Sequence, residues 1–189
     1  MKNIEKYLKK KFLFTEKNNL IKSLYFFVHR FYNRKNSVHK SFTRYGLDLL
    51  LKHFFRDKKE GVYIDVGCFH PKLANNTYLL YKKGWRGINI DISDFSIKLF
   101  KFLRPDDFNL NLAVSNKEGN IEMFFQKKLS QLSTINENQA KKAFQGNILK
   151  KIIASKRLTS IIDESKYKDQ KIDFLNIDVE GADFEVLQS

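Results

Sequence analysis

The chain has 189 residues, 42% of them hydrophobic, enough for one ordinary α/β core and too few for a second full domain. Eighteen Phe and eight Tyr against two Pro exclude a largely disordered chain, which would lack the apolar surface that offsets ordering entropy. The formal charge is +14, and residues 1–40 hold +9 of it, from eleven Lys and Arg against two Glu, so an anionic membrane surface, a nucleic acid or a charged glycan is the expected partner.

From Lys2 to Tyr32 the pattern is helical and aromatic, with Leu20, Leu24, Phe27, Val28 and Phe31 on one face and basic residues on the other. It reads equally as a helix lying in an anionic membrane interface or as an arm packed on the domain or on a second copy. The expected organisation is this basic arm over 1–40 and a single α/β domain over 41–189. Thr43 to Arg56 predicts a helix whose broad stripe, Tyr45, Leu47, Leu50, Leu51, Phe54 and Phe55, is mostly buried. A polar turn at Asp57–Gly61 leads to a short apolar strand, Val62 to Val66. A helix over Asn76 to Lys82, capped by Asn75 or Asn76, and a strand over Gly87 to Ile90 complete a right-handed βαβ unit of a parallel sheet.

A helix near Phe95 to Leu103, stopped by Arg104-Pro105, is followed by a strand near Phe108 to Val114. A turn at Asn116 to Asn120 and a strand at Ile121 to Phe125 come next, then a polar stretch, Gln126 to Gln139. Helices are expected around Gln139 to Phe144 and Leu158 to Glu164, with an apolar stretch at Ile152-Ile153 between them. Ile172 to Ile177 is the last strand, and a helix begins at Ala182.

Cys68 is the only cysteine, so no intrachain disulfide forms and a reducing compartment, the cytoplasm, fits best. Neither a secretory signal nor a membrane span is expected, because the longest apolar run near the start is only Leu24 to Val28. The arm would place the protein peripherally at the inner membrane face.

Ligands of open α/β sheets sit beyond the carboxyl ends of the strands, and three expected strands end in acids there: Asp65, Asp91 and Asp178. Asp91 follows Gly67 at close to the offset of roughly 20 residues at which an acid accepts hydrogen bonds from ribose hydroxyls. A dinucleotide would need further glycines so that backbone amides could approach a pyrophosphate. Those places hold Phe69 and Pro71-Lys72 instead. S-adenosylmethionine fits better, since it joins a ribose and adenine to a sulfonium and an amino-acid tail, with Asp65 placed to hold the ammonium.

The stretch IDVGCFHPKLANNTYLLYKKGWRGINIDIS and the later IDFLNIDVEGADFEVLQS resemble, in the right order, the two landmarks of FkbM-type methyltransferase domains. The resemblance covers about Phe42 to the end. It implies a class I, Rossmann-like, mostly parallel sheet with flanking helices, S-adenosylmethionine as methyl donor, and O-methylation of acceptors such as sugars and natural products. The positions that match are Asp65, Gly67, Asn76, Thr77, Asp91, Asp178, Glu180 and Gly181. Cys68-Phe69-His70-Pro71 is a variant of the family's loop. A domain of this type is expected to continue past Ser189 with strands that complete the sheet, so Ile172 to Ile177 would be an edge open to a homo-oligomeric partner.

Under this reading Asp178 orients the acceptor hydroxyl, acts as base or ligates a metal, its alternative being a helix N-cap. Glu180 binds substrate or serves the helix dipole. His70 is a base candidate at neutral pH, its alternative a hydrogen bond to backbone. Cys68 belongs to the cofactor-binding turn as a small buried filler rather than a nucleophile, and Asn111 and Leu112 flank adenine. No His/Cys/Asp cluster has metal-ligand spacing. The acceptor is expected to be a sugar, a glycolipid or another small hydroxyl compound. The rivals are RNA as acceptor, and a non-catalytic membrane-associated binding protein.

Overall fold

Val62–Val66 forms strand β1, and all five of its residues are buried. Burial on both faces requires cover above and below, the usual setting of a parallel sheet. The computed structural model describes Ser23, Phe26, Phe27 and residues 41–43, 45–127 and 130–189. In it β1 pairs in parallel with β2 (Arg86–Asp91) on one side and with β7 (Phe174–Ile177) on the other. β2 pairs in parallel with β3 (Phe108–Asn111), giving the order β3-β2-β1-β7. A smaller sheet holds β4 (Ala113–Val114), β5 (Gly119–Phe125) and β6 (Leu149–Lys156), with β6 in the centre, parallel to β4 and antiparallel to β5. The helices are α1 (Leu47–Phe54), α2 (Tyr78–Lys83), α3 (Asp94–Leu103), α4 (Glu137–Ala143), α5 (Leu158–Asp163) and α6 (Asp183–Leu187).

The two faces of the larger sheet differ in chemistry. Ile64, Val66, Ile88 and Ile90 point to one side and pack on Leu158 and Ile161 of α5 and Val186 of α6. The other side carries polar residues at one level across all four strands, because the register sets Asn176 beside Asp65, Asp65 beside Asn89, and Asn89 beside Asn109. Asn176 donates to Asp65 at 2.8 Å, and Asn89 donates to Asn109 and to Asp107, each at 2.9 Å. Buried polar groups need such partners to offset desolvation.

Arg104, fully buried just past α3, extends this network. It donates to the Pro71 carbonyl, to Asn75 Oδ1 and to Thr77 Oγ1, and its guanidinium lies 5.0–5.4 Å from the ring centres of Phe100, Tyr81 and Tyr78. Tyr63 donates to Asp107 at 2.5 Å. Arg104 is thus the cation that offsets a set of buried acids.

Four expectations are corrected. The strand expected over Phe108 to Val114 is two, because the chain leaves β2 after Asn111, buries Leu112, and pairs Ala113-Val114 with β6. The apolar stretch at Ile152-Ile153 belongs to an eight-residue strand, β6. The stripe of α1 is largely solvent-facing, with Phe54 78% and Leu50 62% exposed. Its buried residue is Asp48, which accepts from Ser41 Oγ at 2.6 Å and from the Phe42 amide at 2.7 Å. The helix cap at α2 is Thr77, with Asn75 accepting the Thr77 amide at 3.1 Å in a turn ahead of it.

The helix read over Lys2 to Tyr32 lies outside the described residues except at Ser23, Phe26 and Phe27, which are helical. The Phe26 ring stands 5.8 Å from Phe95 and 5.5 Å from Phe102, on α3. No helix among the described residues is long and apolar enough to cross a membrane.

Candidate active site

The carboxyl ends of β2, β1 and β7 are tied together by backbone geometry. Gly67, directly after β1, has φ +78, and a Cβ there would lie 2.0 Å from the Asp178 carbonyl oxygen. Only glycine permits both the left-handed turn and this approach. The amides of Gly67 and Cys68 donate to the Ile90 carbonyl at 2.9 and 3.1 Å, and the Asp178 amide donates to the Val66 carbonyl at 3.0 Å.

Beyond these ends lies a cleft of two joined lobes. The first spans about 520 Å³, counting the space open to solvent. Val66, Ile90, Ile92, Leu112, Val114, Ile135 and Val179 give it apolar walls, and Asp91 and Asp178 are its carboxylates. The second, about 320 Å³, is polar, lined by Asp65, Asn75, Asn76 and Asn176 among others. Gly67, Phe69, Gln131 and Asp178 border both. No Lys, Arg or His lines either lobe among the described residues. The left-handed backbone at Phe69 (φ 53), Ala74 (φ 48) and Glu180 (φ 50) falls in the loops around the cleft. Such strain concentrates at binding sites.

Asp91 Oδ2 accepts the Phe69 amide at 2.8 Å and Oδ1 accepts the Ser93 amide at 2.7 Å, which fixes the carboxylate at the cleft wall. Burial pushes its carboxyl up to about 6, against the lowering effect of those two bonds. Asp65 is 1% exposed and engaged from three sides, accepting from Thr77 Oγ1 at 2.9 Å, Asn75 Nδ2 at 3.1 Å and Asn176 Nδ2 at 2.8 Å. Burial raises its carboxyl, and these bonds together with Arg104 counter the rise. Asp178 stands open to solvent where the lobes meet; partial enclosure, then Asp183, raises its carboxyl.

The other residues singled out in the sequence divide clearly. Leu112 lines the apolar lobe, whereas Asn111 faces solvent and donates to the Asp91 carbonyl at 2.9 Å. Asn76 lines the polar lobe and donates to Asn176 at 2.9 Å. Thr77 is buried beneath it in the Asp65–Arg104 network. Cys68 is 2% exposed, and burial followed by the charges of Asp91 and Asp65 pushes its thiol well above the ordinary range, so it is no nucleophile.

His70 lies outside both lobes, buried, with Nδ1 accepting the amides of Lys72 at 3.0 Å and Leu73 at 3.0 Å. The backbone-bonded alternative describes it. Glu180 borders neither lobe; its side chain bonds Gln139, and burial with Asp178 and Asp183 raises its carboxyl. Among the described residues no group of three or more His, Cys, Asp or Glu could hold a metal ion.

Sequence reasoning missed the outer wall, residues 130–135. Thr134 exchanges two backbone bonds with Phe124 of β5, at 2.8 and 3.1 Å, and its Oγ1 donates to the Glu180 carbonyl at 2.9 Å. A rule confined to strand ends has no signal for this stretch, since its own polar composition reads as loop.

A mostly parallel sheet flanked by helices, with a cleft at its carboxyl edge, defines a Rossmann-like α/β protein of the methyltransferase type. Residues 61–189 match the family model described as the methyltransferase FkbM domain, and the chain belongs to that family. A search of curated proteins gave no match, and neither did a search of solved structures.

Proposed function

We propose that the chain transfers a methyl group from S-adenosylmethionine to a hydroxyl of a small acceptor, a sugar or glycan being the class favoured. The observation that carries this reading is the pair of lobes: an apolar slot bordered by Asp91 and Asp178, joined across Gly67 to a polar lobe whose charged lining, among the described residues, is acidic. A dinucleotide would bring a pyrophosphate to a cleft that, among the described residues, is lined by Asp65, Asp91 and Asp178 and by no cation, at high electrostatic cost. A nucleoside bound to a cationic sulfur and an ammonium fits that field, and the donor set suits it.

Bound S-adenosylmethionine supplies an electrophilic methyl group. In this reading Asp91 accepts hydrogen bonds from the ribose hydroxyls, and Ile92, Leu112 and Ile135 enclose adenine. Asp65 contributes negative charge from beneath the polar lobe, and Asn76 lies at its wall. Asp178, at the junction of the lobes, accepts the proton that the acceptor hydroxyl must lose. Its raised carboxyl makes it a better base than an ordinary aspartate.

Titration with S-adenosylhomocysteine and, in parallel, with NAD tests the cofactor assignment. Binding of the first and none of the second is expected; preferential binding of NAD overturns it. With an acceptor found by screening sugars for label transfer, Asp178→Asn should lower kcat by about 100-fold or more while S-adenosylhomocysteine affinity holds. An unchanged kcat removes Asp178 as base.

A further inference from the structure

We propose that a second crevice, on the far side of the wall formed by Ile92 and Ser133, binds a small amphiphilic anion: an apolar chain or ring bearing one phosphate or carboxylate. The crevice spans about 680 Å³, counting the space open to solvent, more than either lobe of the cleft on the same measure, and shares only Ile92 and Ser133 with the apolar lobe. Its floor is apolar, made by Ile92 and Phe95 at the start of α3 and by Met123 and Phe125 of β5.

Two cations converge on its rim from different segments. Lys127 follows the end of β5, and Lys151 stands on β6 directly across from Met123. Cross-strand partners share a sheet face, so Lys151 lies on the same face as Ile153 and Ile121, whose side chains belong to the apolar cluster beneath. Lys151 itself is exposed, so from this face its ammonium reaches the crevice rim beside the apolar floor. Among the described residues, neither lysine has a carboxylate within 4.0 Å. The nearby acids are already engaged: Glu122 pairs with Lys150 at 3.0 Å, and Asp94, which lines the crevice, pairs with Lys98 at 2.5 Å. The remaining field over an apolar floor is positive, which selects a ligand with a greasy body and an anionic head. Neither plain hydrocarbon nor a bare anion meets both halves.

Calorimetric titration of the full chain with octyl phosphate, hexyl phosphate, octanol and inorganic phosphate tests the proposal. Octyl phosphate is expected to bind, hexyl phosphate about tenfold more weakly for its two missing methylenes, and octanol and phosphate weaker still. Reversing both exposed lysines, Lys127→Glu with Lys151→Glu, should weaken octyl phosphate about tenfold with an unchanged melting temperature. Phe125→Ser should weaken it by shortening the floor. Saturating S-adenosylhomocysteine should leave octyl phosphate bound, which keeps this test independent of the cofactor assignment. Co-sedimentation with phosphatidylglycerol vesicles, lost on double reversal, would identify a bilayer lipid as the source; binding of dispersed octyl phosphate without sedimentation would identify a soluble amphiphile. The proposal is overturned if octyl phosphate does not bind, if the double reversal leaves its affinity intact, or if S-adenosylhomocysteine displaces it.

Discussion

Replacing Asp91 is the sharpest perturbation of the proposed cofactor site. Each of its oxygens already accepts one backbone amide, from Phe69 at 2.8 Å and from Ser93 at 2.7 Å, and each keeps a lone pair for a ribose hydroxyl. Hydrogen bonds to a charged acceptor contribute about 1.5–3 kcal/mol, so losing two costs about 3–6 kcal/mol, or roughly 100- to 10,000-fold in Kd. Asp91→Ala should weaken S-adenosylhomocysteine by at least the lower figure in a titration near neutral pH. Asp91→Asn, which keeps one acceptor, should fall between it and the parent. The carboxyl's rise to about 6 adds a second reading. Binding that needs the ionised form is complete above that value and falls about tenfold per pH unit below it. The free protein follows the opposite sign: a raised carboxyl contributes stability below its unfolded pKa of about 3.9, lost as pH rises through 6. If folded Asp91→Ala, checked by its melting curve, binds within about threefold of the parent, less than 1 kcal/mol, the ribose assignment fails.

Gly67→Ala combines a left-handed φ with a Cβ 2.0 Å from the Asp178 carbonyl, so it should lower the melting temperature and abolish S-adenosylhomocysteine binding; a soluble variant with parental affinity contradicts the close approach. Arg104→Met leaves the buried acids Asp65 and Asp107 without their cation, and urea unfolding should register a loss of about 3–5 kcal/mol; less than about 1 kcal/mol would show that the network holds without it. Cys68, buried with its thiol pushed well up, should react with a disulfide reagent only after unfolding; rapid labelling of the native protein would place it at the surface.

The strands of the larger sheet were legible because parallel central strands are buried on both faces and stand out as short apolar runs: Val62–Val66 was read at its full extent. Asp91 and Asp178 were legible as a pair because strand-end acids in a parallel sheet share an edge, and both border one lobe. The break at Leu112 was hidden, since the apolar pattern runs on from Phe108 to Val114 while the hydrogen-bond partner changes from β2 to β6. β6 was hidden for a different reason. Four of its first five residues, Leu149 to Ile152, are exposed, so it lacks the apolar alternation that marks a half-buried strand. For His70 two readings stood open, a base or a partner of backbone, because residue type in a loop says nothing of direction; two backbone amides claim its ring nitrogen.

The polar row under the sheet was also invisible, since Asp65, Asn89, Asn109 and Asn176 lie far apart in the chain and meet only through register. That row, with Arg104, explains how the cleft keeps its shape. Its loops carry left-handed residues, Phe69 and Ala74, each costing about 1–3 kcal/mol unless the surroundings fix them. The fixing comes from below: Arg104 holds the Pro71 carbonyl and Asn75, while Asp65 holds Asn75 and Thr77. Between them these two opposite charges clamp the loop after β1 at its middle and its end. The acids of the three strand ends therefore divide their labour by depth. Asp65, 1% exposed, spends its lone pairs on the scaffold, and Asp91 and Asp178 keep theirs for whatever enters the cleft.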